Sequence, residues 1–357
     1  MAPLSAPSRI VLLTTSFPSH QGDPSGHFVA TEATLLAREG HEILVLAPGE
    51  SRRAPGSDVH VVGLGASVLF GWPGALERLR ERPLRASALP AFLRKARREL
   101  LRRGRFDRAI LHFLLPCGLP LGFFAQAREI EVVAHGSDVR LFRKAPRLLR
   151  ASALRALLDR GARFRFVSER LRDELRDDLP PELAEAIVAR SRIEPAPIEV
   201  PDVRAKAVAL RRSLALAPEE RLWVVCGRLV PGKRIDRAIA FAHAAGAHLV
   251  VVGDGPQRDD LESLAHRLRA PVRFVGRLPR DEALAWIAAA DRLLQPSEAE
   301  GAPTVVREAR MLGTPVLSTS VGDVPTWAAS DSGIELWPAP FWNQRNTSTA
   351  AHLADSR

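Results

Sequence analysis

Short apolar runs rich in Val, Ile and Leu alternate with longer amphipathic stretches over most of this 357-residue chain. Continuous apolar runs of about 4–8 residues predict strands buried on both faces, as in parallel sheets, and the stretches between them predict helical crossovers. In the first half the pattern places strands at Arg9 to Thr15, Glu42 to Leu46, Val59 to Val62, Ala109 to Phe113, Val132 to Ala134 and Phe164 to Val167, with a helix over His27 to Arg38. From Ser191 to Asp202 the alternation loosens into a run with three prolines, which predicts a stiff linker. It then restarts, with strands at Leu222 to Cys226, His248 to Val252, Val272 to Val275, Leu293 to Gln295 and Val316 to Ser318. Helices are expected between them over Asp236 to Ala245, Gln257 to Leu268 and Arg280 to Ala289. The expected fold class is α/β, with two Rossmann-like doubly wound domains at residues 1–195 and 196–357.

Composition narrows the class without naming a partner. With 46% hydrophobic and 26% charged residues the chain reads as a globular enzyme, and no run approaches the ~18 apolar residues that span a bilayer. The N-terminus shows no secretory pattern and the two cysteines, Cys117 and Cys226, sit in apolar settings, so a cytoplasmic protein without disulfides is expected. The net charge of +10 is concentrated between Arg78 and Arg108, where twelve Arg or Lys face three acidic residues, a surplus of nine. Phe92, Leu93, Leu100 and Leu101 interleave there with Arg94, Arg97, Arg98 and Arg102 at helical spacing. Two readings stand: peripheral contact with the inner face of a membrane, or an arginine-rich solvated helix. Nucleic acid is not expected as a partner, because no zinc, helix-turn-helix or stacking motif accompanies the charge.

Candidate chemistry concentrates in SEAEGAPTVVREARMLGTP, Ser297 to Pro315. If Glu300 and Gly301 lie in a strand-to-helix loop and a helix runs from about Pro303 to Leu312, Glu308 falls one to two turns inside it. The amides of the Gly301, Ala302, Thr304 and Val305 region then offer an anion site at the helix start, with Pro303 in the first turn, while two carboxylates accept hydroxyl hydrogens. A ligand both phosphorylated and polyhydroxylated fits, as in a nucleotide sugar. Upstream, GRLVPGKRID places Arg228 and Lys233 after a strand, where two cations suit a diphosphate. Gly253 opens GDGP, an incomplete dinucleotide fingerprint because Arg258 stands where the third glycine belongs, which disfavours a nicotinamide cofactor. In the first half, His135 lies just past a strand end in HGSD, and Gly26 precedes a helix, where it lets backbone amides approach a phosphate or acceptor.

The run EGxPxxxxEA followed by Gly-Thr-Pro resembles the E-x7-E signature of retaining glycosyltransferases of family 4, which have the GT-B fold, and motifs in family order extend the resemblance from residue 9 to about 328. The resemblance implies two domains facing across a cleft, with the acceptor on the N-terminal one. It implies that Arg228 and Lys233 stabilise a departing diphosphate, Glu300 holds sugar hydroxyls, Glu308 the ribose and His135 the far edge of the sugar. The backbone at Arg277 and Leu278 contacts the base in such enzymes, and Gly253 lies beside the nucleotide. The expected activity is a retaining, metal-independent hexosyltransferase without cofactor, moving sugar from a nucleoside-diphosphate sugar to a glycan or lipid-linked acceptor in cell-envelope polysaccharide or glycolipid synthesis. A noncatalytic GT-B-like subunit that binds nucleotide sugar or membrane, and a nucleotide-sugar epimerase, are the alternatives. The stretch after Trp327 is shorter than in such enzymes, so an abbreviated C-terminal end is expected.

Overall fold

The computed structural model describes residues 7–337. Residues 338–357, which carry most of the expected abbreviation of the C-terminal end, lie outside the described residues. The chain forms two compact units, the first ending at Ile198 and the second beginning at Glu199.

Among the described residues, the first unit holds an eight-stranded sheet: β1 (Arg9–Leu13), β2 (Glu42–Ala47), β3 (Arg52–Arg53), β4 (His60–Gly63), β5 (Phe106–His112), β6 (Ala127–Ala134), β7 (Arg163–Phe166) and β8 (Ser191–Ile193), in the order β3-β4-β2-β1-β5-β6-β7-β8. Every pairing is parallel except that of β3 with β4. The second unit holds β9 (Leu222–Cys226), β10 (His248–Val252), β11 (Val272–Gly276), β12 (Arg292–Gln295), β13 (Val316–Ser318) and β14 (Ile334–Leu336), all parallel, in the order β11-β10-β9-β12-β13-β14. Ile10, Leu12, Val224, Val250 and Leu293 are buried within these sheets, which is why their strands read as unbroken apolar runs. Each fully buried aliphatic side chain of this kind contributes about 1.5–3 kcal/mol.

This order positions the sites. The chain reverses direction across the sheet between β1 and β5 in the first unit and between β9 and β12 in the second, and loops at the carboxyl ends of strands beside such a reversal form a crevice. Two glycines show how tightly those loops pack. At Gly253, φ is +137° and a Cβ would lie 1.8 Å from the Gly227 carbonyl oxygen, so the loops after β9 and β10 run backbone against backbone. At Gly26, φ is +65° and a Cβ would lie 2.1 Å from the Ser16 carbonyl oxygen, which ties the loop after β1 to the start of the helix His27–Arg38.

Three expectations need correction. Ser191 to Ile193 does not begin the linker but forms β8 against β7; Ser191 and Arg192 are polar, so the strand lacks the apolar run that marks the others. Pro303 occupies the N-cap in an extended conformation, and the helix runs over Thr304–Met311. In the basic segment the helix Ala88–Arg102 turns Phe92, Ala96 and Leu100 inward, with Phe92 against Phe70 at 4.7 Å between ring centroids. Of the four apolar residues in the interleaved stripe, Phe92 and Leu100 therefore belong to the domain's own core, while Leu93 is half-buried and Leu101 exposed. Arg94, Arg97, Arg98 and Arg102 are exposed. No described helix is long and apolar enough to cross a membrane.

Candidate active site

In the second unit the loops after β9 and β12 bring two predicted residues into contact. Lys233 closes a short turn, Pro231–Lys233, and its Nζ donates to Glu300 Oε1 at 2.5 Å. Gln295, the last residue of β12, donates from Nε2 to the same oxygen at 3.1 Å and to Ser297 Oγ at 3.0 Å. Burial pushes the Glu300 carboxyl up, but the charge and hydrogen bond of Lys233, the hydrogen bond of Ser297 and the charge of Arg228 outweigh it and hold the group below its ordinary value. The two loops are further stapled by Glu298 N–H donating to the Gly232 carbonyl at 2.9 Å and by Arg234, whose guanidinium spans Glu298 at 2.8 Å and Asp236 at 2.7 Å. Arg234 adopts a left-handed conformation, φ 50°, a strained backbone that persists where surrounding bonds over-determine it. The result is a fixed cation–carboxylate pair at the carboxyl edge of the sheet, with Arg228 close enough to act on Glu300.

Thr319, just past β13, ties the same loop from the other side, its Oγ1 donating to the Ser297 carbonyl at 2.6 Å. Beyond the loop, Gly301 and Pro303 are buried and Ala302 and Thr304 half-buried. The helix that starts at Thr304 has no side-chain cap, because proline at the N-cap carries no acceptor. Glu308 is buried on that helix and is held by Arg280, whose Nη2 and Nε donate to Oε1 at 2.6 and 3.2 Å. Arg280 also donates to the Glu199 carbonyl at 2.8 Å. Arg277 is exposed and Leu278 half-buried in the loop after β11.

In the first unit, His135 follows β6 and is held from several sides. Its ring lies 4.9 Å from that of Phe28 and 4.6 Å from that of Phe113, and its Nε2 is 3.1 Å from Nδ1 of His112, the last residue of β5. Asp138, buried, accepts from the backbone N–H groups of Leu114, His135 and Gly136 at 2.6, 3.1 and 2.8 Å, which shapes the HGSD turn. Burial, then His112, then the cation Arg165 push the His135 pKa well below the usual imidazole range; burial and Arg165 do the same to His112. Both rings are neutral near pH 7.

Reading the sequence missed Gln295, Ser297, Arg234, Arg280, His112 and Glu32. Two carried a signal. His112 ends an apolar strand on the ligand side, and Glu32 falls in the same helical phase as the buried Val29 and Ala33.

Comparison with known proteins agrees with this architecture. The family description "Glycosyltransferase Family 4" matches residues 25–188 and "Glycosyl transferases group 1" matches residues 208–333. The chain belongs to the group 1 glycosyltransferases of GT-B fold. It is 27% identical over 342 residues to a putative teichuronic acid biosynthesis glycosyltransferase of Bacillus subtilis (strain 168), covering 88% of this chain and 82% of that one. It is likewise 27% identical over 349 residues to a GDP-mannose-dependent alpha-(1-6)-phosphatidylinositol monomannoside mannosyltransferase of Mycobacterium tuberculosis (strain ATCC 25618 / H37Rv), covering 89% and 82%. Among solved structures, sucrose-phosphate synthase from Thermosynechococcus elongatus superposes with a TM-score of 0.69 at 19% identity, over 96% of this chain and 88% of that one, a likeness of fold.

Proposed function

We propose that the chain is a retaining, metal-independent hexosyltransferase that moves a sugar from a nucleoside-diphosphate donor to a glycan or lipid-linked acceptor in cell-envelope polysaccharide or glycolipid synthesis. The observation that carries this reading is the Lys233–Glu300 pair, partly buried at the carboxyl edge of β9 and β12 with Arg228 beside it. Lys233 and Arg228 neutralise the diphosphate as the glycosidic bond breaks, an electrostatic contribution of about 3 kcal/mol per well-placed donor. Two fixed cations make a divalent ion unnecessary in this reading. Glu300 and Glu308 accept hydroxyl hydrogens from sugar and ribose, Arg280 holding Glu308 in place. The uncapped start of the helix at Thr304 offers N–H groups to phosphate, and within the second unit the loops at Gly253, Gly301 to Pro303, Arg277 and Leu278 supply further donor-binding groups; Gly26, in the first unit, is assigned to the donor from the family resemblance. His135 contacts the sugar. Retention is assigned to a front-face reaction in which the leaving phosphate oxygen takes the acceptor hydroxyl proton, so no protein base is required.

Two relatives whose names specify teichuronic acid biosynthesis and a phosphatidylinositol mannoside support an envelope glycan or glycolipid as product. The exposed arginines between Arg78 and Arg108 supply reversible, electrostatic contact with an anionic membrane that presents a lipid-linked acceptor. The test is release of nucleoside diphosphate from a panel of donor sugars, with glycan and lipid-linked acceptors in excess chelator, followed by NMR of the product anomer. Turnover with retained configuration is expected. An inverted anomer, or activity abolished by chelator and restored by a divalent ion, overturns the reading.

A further inference from the structure

A buried polar chain in the first unit is not explained by packing. Arg165 on β7 donates from Nη2 to Glu32 Oε1 at 2.6 Å. Glu32 lies on the helix His27–Arg38, and its other oxygen, Oε2, is 3.6 Å from Nε2 of His112. Both of these atoms are buried and neither has a hydrogen-bond partner. On its other side His112 meets His135, Nδ1 to Nε2, at 3.1 Å. Buried polar groups in folded proteins are nearly always paired, so two facing orphans mark an arrangement retained for a reason. A shortening of about 0.6 Å turns their approach into an ordinary N–H···O bond.

We infer that Glu32, acting through His112, fixes the tautomer of His135 so that its Nδ1 is presented as a hydrogen-bond acceptor for a hydroxyl of the donor sugar. Each step follows from donor and acceptor counting. Glu32 accepts from the Arg165 guanidinium, and the oxygens of a glutamate carboxylate only accept. His112 Nε2 must therefore carry the hydrogen; the opposite tautomer would set a ring lone pair against a carboxylate lone pair in a buried site. A neutral His112 with its hydrogen on Nε2 has an acceptor at Nδ1, so His135 Nε2 must donate to it. A neutral His135 that donates from Nε2 is left with an acceptor at Nδ1. Arg165 also faces Glu131 at 3.8 Å and Glu194 at 4.0 Å, so its charge is shared among three carboxylates. The aromatic rings of Phe28 and Phe113 hold the His135 ring against rotation that would exchange its nitrogens. His112 and Glu32 are positioning residues: neither needs to touch substrate. That a sugar hydroxyl is the partner of His135 rests on the function proposed above; the tautomer assignment does not.

The experiment uses the full chain labelled with ring-15N histidine, with resonances assigned through His112→Asn and His135→Asn. Two-bond 15N–1H correlations report which nitrogen of each ring carries the hydrogen. Both His112 and His135 are expected as the Nε2–H form. Glu32→Gln is the decisive variant, because its amide oxygen stays on Arg165 and its NH2 turns to His112, reversing every donor and acceptor in the chain. His135, which Glu32 does not touch, then changes to the Nδ1–H form and can no longer accept from the sugar hydroxyl, which must give up its other acceptor to pair with it, and kcat/KM for the donor falls about tenfold or more. Thermal melting establishes that the variant is folded. A wild-type His112 in the Nδ1–H form, or a His135 tautomer unchanged in folded Glu32→Gln, overturns the inference. If Glu32→Gln does not fold, the wild-type spectrum alone decides. If no donor is turned over, the proposed function fails while the spectra still read the tautomers.

Discussion

Replacing Lys233 with alanine tests the proposed site most directly, because it removes a cation from the proposed diphosphate site and strips Glu300 of its ammonium partner. Both side chains are mostly buried, 22% and 17% exposed, so solvent screens the loss only partly. Removing one member of a fully buried pair costs about 3–5 kcal/mol. Gln295, Ser297 and Arg228 remain around Glu300, which reduces the expected cost to roughly half, about 2 kcal/mol. For a domain of this size that is about 4–8 °C in Tm. Turnover should fall at least ~100-fold, the effect of one lost donor at a developing charge. The pH dependence separates this account from generic destabilisation. In the wild type the Glu300 pKa is depressed below its ordinary value of 4.5, so the pair stabilises above that pH and its contribution fades as pH falls through the folded-state pKa. In the variant the charge and hydrogen bond of Lys233 are lost and the pKa rises from its wild-type position, so protonation sets in at higher pH and relieves the fold as pH falls. The Tm gap between variant and wild type should therefore close from pH 7 towards pH 4. Turnover near the wild-type rate removes the proposed catalytic role, and a Tm gap that does not change with pH removes the account of the pair.

Two further outcomes follow from geometry. Gly253→Ala places a methyl into the Gly227 carbonyl at a φ that L residues rarely adopt, and should cost at least ~3 kcal/mol, read as a lower urea midpoint; a wild-type midpoint would mean the two loops are not in backbone contact. Charge reversal at Arg94, Arg97, Arg98 and Arg102 should abolish salt-sensitive binding to anionic liposomes, since each basic residue near such a surface contributes about 1 kcal/mol, and should leave nucleoside diphosphate release intact. Failure of the wild type to bind these vesicles at low salt leaves the segment a solvated helix.

What the sequence made legible depended on length and on separation. β9 and β10 were readable because Leu222, Val224, Leu249 and Val251 are buried in an all-parallel sheet, so their runs are uninterrupted. β3, β8 and β14 span two or three residues each and are broken by Arg52, Arg53, Arg192 and Glu335, so they show no apolar run, whereas the equally short β13 opens on Val316 and Leu317. Lys233 and Glu300 were each legible from local motifs, but their contact joins residues 67 apart in sequence, and the Arg280–Glu308 pair joins residues 28 apart. Local spacing cannot announce such partners. Glu32 illustrates a different failure: its helical phase with Val29 and Ala33 hints at burial, but a charged side chain reads as solvated unless a partner is known, and that partner, Arg165, arrives from β7, 133 residues away.

The bond from Arg280 to the Glu199 carbonyl gives the chain a preferred cutting point. Glu199 is where the second unit begins, yet its main-chain oxygen helps seat the guanidinium that holds Glu308. A graft of second halves between related chains should begin at or before this residue, so that carbonyl, arginine and carboxylate travel together. A graft begun a few residues later inherits the glutamate with its clamp only partly anchored, and a loss of activity in it would be a fault of the junction, not of the borrowed half.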